Sequence, residues 1–379
     1  MFLALRELRF ARGRFGLMGA VIALIAILMV MLSGLSAGLV NDGVSGLKKL
    51  PVTAFAFDQG TKTDNAFSRS VVDSEQITAW KDRPDVELAE PVGAGMINVT
   101  TTDGTQADLS LFGIEPGSAL EPELSVGHGL GAPHEVVLSE TARSEGIEIG
   151  TVLTVDRMDT ELTVVGFTDG QATFGHVDIM YLPLDTWRLL ISGQAQPGAP
   201  TAEQLDALDS DTASVVALQA ADDEIDLAAG DAAATTTAMP LEESFNASPG
   251  YQAETLTLSM IQWFLYAICA LVIGAFFTVW TIQRTQELAV LRAIGASGGY
   301  LLRDSLAQAA LLLVIFTGVG VGAGILLGNA MPEGMPFSLE PAPIAVATAV
   351  TIACGLAGAT ISVLRVLRIE PVTALGGNR

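Results

Sequence analysis

Four stretches of this 379-residue chain are each long and apolar enough to cross a lipid bilayer as a helix. They run from Phe15 to Val40, Leu256 to Ile282, Tyr300 to Leu327 and Ile344 to Leu367. A bilayer core takes about 20 helical residues to span. Inside it every backbone N–H and C=O must bond within the segment, which leaves helices as the form for isolated apolar runs. The first stretch follows Arg6, Arg9, Arg12 and Arg14, as a signal peptide would. Its apolar run is too long for a signal core of about 7–15 residues, so it reads as a retained span.

Between the first and second stretches the composition changes. Residues 41–255 hold 36 of the 42 acidic residues and 9 of the 19 basic ones, so one segment carries the net charge of −23. Such a surface repels phosphate and excludes nucleic acid as a partner. The two cysteines, Cys269 and Cys354, both fall in apolar runs and read as buried thiols, not as a disulfide framework.

Short flanking segments set the expected orientation. Arg6, Arg9, Arg12 and Arg14 precede the first span, Arg284, Arg292 and Arg303 lie between or beside the second and third, and Arg365, at the end of the fourth, Arg368 and Arg379 end the chain. The loop at 328–343 has Glu333 and Glu340 and no basic residue. The positive-inside rule then places both termini and the 283–299 loop in the cytoplasm of a plasma-membrane protein, and residues 41–255 and 328–343 outside. In the first span Gly16, Ala20, Ala23, Ile27, Met31, Gly34 and Gly38 share one helical face, where small side chains let helices approach closely. Gly318, Gly320, Gly322 and Gly324 alternate in the third span. No Lys-Ser/Thr follows them, so they read as helix packing and not as a phosphate loop.

The acidic segment reads as a soluble α+β domain. Val86–Val99 and Gln106–Gly113 form strands around an Asp103-Gly104 turn, and Thr151–Val155 pairs with Glu161–Gly166. Glu140–Glu145 and Leu184–Ile191 read as short helices, and Gly193–Gly230 as loops and a helix. The expected fold class is an α-helical membrane protein with four transmembrane helices and an α+β extracellular domain inserted between helices 1 and 2. His128, His134 and His176 are scattered along the chain, and neither a zinc-protease motif nor a nucleophile elbow is present, so no catalytic site is expected. Ser139-Glu140 beside His134 is one sequence neighbour and not a triad.

The loop between the second and third spans reads Arg284-Thr285-Gln286-Glu287-Leu288-Ala289-Val290-Leu291-Arg292-Ala293-Ile294-Gly295. Leu288, Leu291 and Ile294 share a helical face, Glu287 and Arg292 flank it, and Gly295 supplies a stop. A short amphipathic helix with nothing of its own to bury needs a partner surface. This loop resembles the coupling helix of the MacB/FtsX-type ABC permeases. The N-terminal Ala4-Leu5-Arg6-Glu7-Leu8-Arg9 is similar to that family's amphipathic elbow, and Arg365 through Leu375 to its closing signature. Val137-Leu138-Ser139-Glu140 through Val164-Val165-Gly166 is similar to its outer domain.

The resemblance implies an elbow at 1–14, spans at 15–40, 256–282, 300–327 and 344–367, and an outer domain at 41–255. It further implies a coupling loop at 283–299, a short outer loop at 328–343 and a tail at 368–379. It implies ATPase contacts through Arg284, Glu287, Leu288, Leu291, Arg292 and Ile294. It also implies a homodimer in membrane lipid with two ABC ATPase subunits that bind ATP and Mg. The chain has no Walker A motif and no intrinsic cofactor is expected, so it is one part of an ATP-hydrolysing complex.

Within the family the overall likeness is to haem exporters, which implies haem as substrate. Exporters of lipids, peptides or drugs, and mechanotransmitters that move no substrate, share the scaffold. A haem site in the membrane needs apolar walls and an iron ligand, and no span contains histidine. Thioether is a haem ligand. Met31 and Met29 are the ligand candidates, with Tyr266 as a phenolate alternative and Trp263, Phe276 and Phe277 as flat neighbours for a porphyrin. Any one of these methionines also reads as simple filler of a helix contact.

Overall fold

The computed structural model describes residues 12–222, 224–283, 290, 294, 295, 297–332 and 335–367. Its first helix, α1 (Arg12–Lys49), has 38 residues. At about 1.5 Å per residue that is close to twice the thickness of a bilayer core. Accordingly the helix is shared between two units. One comprises the chain up to Leu39 and from Thr255 onward, and the other is Val40–Glu254. Val44, at φ −144° and ψ 17°, kinks α1 inside the second unit.

The inserted unit is built on an eleven-stranded sheet. In chain order its elements are β1 (Ala54–Asp58), α2 (Ser74–Lys81), β2 (Val86–Thr101), β3 (Gln106–Ile114), β4 (Leu124–Gly127) and β5 (Glu135–Leu138). These are followed by β6 (Val152–Val155), β7 (Thr160–Thr168), β8 (Thr173–Phe174), β9 (Val177–Pro183), α3 (Leu184–Ile191) and α4 (Ala202–Asp206). The last are β10 (Val215–Ala220), α5 (Leu227–Ala234), β11 (Thr236–Pro240) and α6 (Leu241–Ser244). The strand order is β11-β1-β10-β2-β3-β9-β5-β7-β4; β6 pairs with β2 and β7, and β8 with β9.

The long β2 joins the two halves. Its first part pairs with β10, its second with β3, and Val99–Thr101 pair with β6. The pairs β3–β9 and β5–β7 are parallel and the others antiparallel. Phe55, Phe57, Phe67, Phe112, Phe174 and Tyr181 form a run of edge-to-face contacts, with centroids 5.1–5.9 Å apart, through the main core. Val44 and Leu47 from the end of α1, and Leu50 just after it, join that core.

The strands expected at 86–99, 106–113, 151–155 and 161–166 are present, as is the helix at 184–191. Glu140–Glu145 is a tight 3-10 segment. Residues 193–230 contain a strand where loops and a helix were expected. β10 lies between β1 and β2, with five of its six residues buried. A short apolar run without alternation is the pattern of a strand covered on both faces, and here the acidic loops around it obscured the signal.

The other unit holds the membrane-spanning part of α1 with α7 (Tyr251–Gln283), α8 (Gly298–Gly328) and α9 (Pro341–Leu367). All four helices are long and apolar enough to cross a membrane. Their close approaches are made by glycine. A Cβ on Gly320 would stand 2.4 Å from the Ala23 carbonyl oxygen, one on Gly324 2.8 Å from Val30, and one on Gly358 2.2 Å from the Ala270 carbonyl oxygen. Gly318 and Gly322 face open space. In the 328–343 segment, the N–H of Ser338 donates to Gly34 (3.0 Å), and the Phe337 ring fills the space where a Cβ on Gly34 would lie.

Candidate functional site: a membrane cluster and the helix roots

The packed face of α1 carries Met18, Ile22, Ile25 and Met29, at the three- and four-residue spacing of a helical stripe. Tyr266, Cys269, Ile273 and Phe277 face it from α7, Ala309, Leu312 and Leu313 from α8, and Ala359 from α9. Met29 is 3% exposed and shares this cluster with Tyr266. Met31 is half-buried. Trp263, 67% exposed, meets Tyr266 edge-to-face at 5.9 Å. Phe276 and Phe277 meet at 5.9 Å, and Phe277 meets Trp280 at 5.7 Å.

The expected small-residue face is therefore only partly used inside the chain. Gly34 and Gly38 are buried, whereas Gly16 and Ala20 are exposed. The close contact with α8 takes Ala23 from that face but runs on along Ala26 and Val30, because Gly320 and Gly324 of α8 supply the room. No charged residue lies between Glu254 and the end of α7, so the aromatic stripe is uniformly apolar.

The roots of α1 and α7 meet in the inserted domain around the β8–β9 turn. This turn has two residues, Gly175 and His176, both left-handed at φ 62° and 65°. Two-residue hairpins of this hand favour glycine at such a position. The N–H of Gly175 donates to the Gly43 carbonyl at 2.9 Å, one residue before the kink in α1. The Thr173 N–H donates to the Ser45 hydroxyl at 2.8 Å. His176 Nδ1 stands 3.0 Å from Asp42 Oδ2, and Nε2 stands 3.0 Å from Glu254 Oε2. Gln171 Nε2 donates to the other oxygen of Asp42 at 2.8 Å. On β9, burial pushes the Asp178 carboxyl above its ordinary range. Bonds from Thr141 and Ser139 oppose that shift, and the Asp42 charge adds to it.

Residues 259–371 match the family described as FtsX-like permease C-terminal. Over those residues the chain is similar to an FtsX-like permease domain. The matched segment begins within α7 and takes in the 283–299 loop, α8, the 328–343 loop and α9. Over the whole chain there is 24% identity to the permease protein HrtB of Staphylococcus haemolyticus strain JCSC1435, named for a hemin transport system, covering 100% of this chain and 99% of that one. The HrtB of Staphylococcus epidermidis strain ATCC 12228 is 25% identical with 100% of both chains covered. An uncharacterized ABC transporter permease of Mycobacterium bovis is 23% identical, covering 100% and 99%. Among solved structures, the periplasmic region of MacB from Actinobacillus actinomycetemcomitans is similar at 12% identity and a TM-score of 0.36, covering 52% of this chain and 92% of that one. The extracellular domain of the transporter YknZ from Gram-positive bacteria is similar at 12% and 0.34, covering 50% and 98%.

Residues 1–11 of the elbow expected at 1–14, the tail at 368–379 and, in the expected coupling loop, Arg284, Glu287, Leu288, Leu291 and Arg292 lie outside the described residues. Ile294 is described and is 79% exposed, its N–H bonded to the Val290 carbonyl at 3.1 Å. Ser139 bonds Thr141 (2.6 Å) and the Ala172 N–H (3.0 Å), with no bond to His134 among the described residues. Sequence reasoning passed over His176 as one of three scattered histidines. The available signal was Phe174-Gly175-His176-Val177, a Gly-X turn between apolar residues, together with one acid just outside each of two spans.

Proposed function

We propose that this chain is the permease subunit of an ABC exporter that extrudes haem from the membrane, driven by a separate ATPase subunit. The observation that carries this reading is end-to-end likeness to the staphylococcal HrtB permeases, which extends through the inserted domain as well as the FtsX-like part. Two copies of the chain pair in the plasma membrane with two ATPases. Both termini face the cytoplasm and the inserted domain faces out, on the arginine distribution. The stripe of Gly16, Ala20, Ile27 and Met31, open or half-open within one chain, supports contact between copies. Leu288, Leu291 and Ile294 seat in the ATPase, with Arg284, Glu287 and Arg292 at the rim.

Haem enters from the outer leaflet between α1 and α7, where Met29 or Met31 approaches the iron. Trp263, Tyr266, Phe276 and Phe277 offer flat apolar faces. The propionates point to water or headgroups, since a buried carboxylate without a partner is costly.

The test is a haem titration of the purified permease–ATPase complex, followed by absorbance and by ATP hydrolysis. A saturable haem spectrum with stimulated hydrolysis is the expected result. Met29→Leu or Met31→Leu should alter the spectrum at the ligand position, with Tyr266→Phe reporting a phenolate instead. Absence of both the spectrum and the stimulation overturns the haem reading. That outcome would favour a lipid, peptide or drug exporter, or a mechanotransmitter.

A further inference from the structure

We infer that His176 is a positioning residue: as an imidazolium it bridges Asp42 and Glu254, and so fixes the separation of the two helix roots from which the inserted domain is hung. The geometry comes from three elements. Asp42 belongs to α1, Glu254 to α7, and the ring stands between them on the β8–β9 turn with each nitrogen 3.0 Å from a carboxylate oxygen. An ionised carboxylate only accepts hydrogen bonds, and a neutral imidazole has a single N–H. A neutral ring can therefore close one arm and must turn a lone pair toward the other carboxylate. Both arms close together only when both nitrogens carry protons.

Neighbouring groups hold the ring's partners in place, and among the described residues no Lys or Arg side chain pairs with Asp42 or Glu254. Gln171 occupies the second oxygen of Asp42, and Gly175 and Thr173 bond the turn to Gly43 and Ser45. Asp178, further along β9, adds negative charge near Asp42. Lys49, at the end of α1, donates to the Asp169 carbonyl. The Tyr251 ring lies beside Gly43. The charged groups facing the ring's two nitrogens are thus carboxylates, Asp42 and Glu254.

All chain connections of the inserted domain to the membrane helices run through these two roots. The bridge is closed while both ring nitrogens carry protons and loses one arm when either is bare. The inference rests on this local geometry and not on the identity of the substrate.

The experiment measures the distance between spin labels at Lys48→Cys and Ala253→Cys in the full chain in lipid nanodiscs, with Cys269 and Cys354 replaced by alanine. It is read at about pH 5.5 and about pH 8, either side of the range in which imidazoles change charge. The parent should give one narrow distance at the lower pH and lose it at the higher. His176→Asn should lose it at both, and asparagine tolerates the left-handed turn. Glu254→Gln is the decisive variant. Its amide can donate to a bare ring nitrogen or accept from a protonated one, so it should stay narrow at both pH values, tighter than the parent at the higher. A parent distance that is the same at both pH values overturns the inference. So does a His176→Asn that matches the parent, or a Glu254→Gln that follows the parent's pH profile.

Discussion

At the scale of single residues the two candidate methionines are not equivalent. Met29 sits in a packed cluster, so truncation to alanine would cost about 2–5 kcal/mol of stability and confuse any reading of haem binding. Leucine conserves most of the volume and is the cleaner probe. Sequence periodicity placed Met29 and Met31 on different faces of α1 but could not say which face the other helices would cover. That depended on glycines in α8. Glu90 offers a separate test. It lies in β2 opposite Ala217, its Oε2 is buried without a partner, and burial pushes its carboxyl above the ordinary range. A carboxyl raised in the folded state favours folding below its unfolded pKa, and that contribution is lost as pH rises through the folded value. Glu90→Gln should therefore stabilise the inserted domain at neutral pH, and the gain should vanish in acid. The gain is at most about 1 kcal/mol, because solvent still screens the group. Thermal unfolding of the parent and variant full chains at several pH values, read by hydrogen exchange in β2, checks both sign and slope.

At the scale of elements, length and apolarity alone located the four membrane helices, since no other structure satisfies their backbone in lipid. Alternation with turn residues located β2, β3, β6 and β7. The same reasoning failed on β10, whose covered faces erase the alternation. The glycine run in α8 was legible as packing, but not its phase. Only Gly320 and Gly324 meet α1, and this gives a paired test. Gly320→Val should push α1 and α8 apart, because the obstructing atom is the Ala23 backbone carbonyl oxygen, which cannot rotate away. Gly322→Val meets open space and should be accepted. Detergent melting temperatures should fall clearly for the first and hardly change for the second. Equal melting of the two would contradict the α1–α8 contact.

At the scale of the whole molecule, an acidic domain interrupts a set of apolar helices, and the division of charge made that visible from the start. The side of the membrane on which it lies is a separate question. A cysteine at Asp209 should react in intact cells with an impermeant reagent, and one at Ser297 only after permeabilisation; the reverse pattern would invert the topology. What no local pattern could disclose is the order of strands. β1, the first to emerge, lies between β10 and β11, and Thr53 reaches Leu218, 165 residues later, with its hydroxyl. During synthesis β1 therefore has neither neighbour until the end of the domain has been made. If secretion accompanies translation, the sheet closes only when nearly the whole insert has been delivered, just before the second helix arrives at the translocon. A nascent chain stalled short of β10 would leave an open strand edge for chaperones and proteases. On the proposed topology, the last strands made would then act as a checkpoint on complete delivery of the domain.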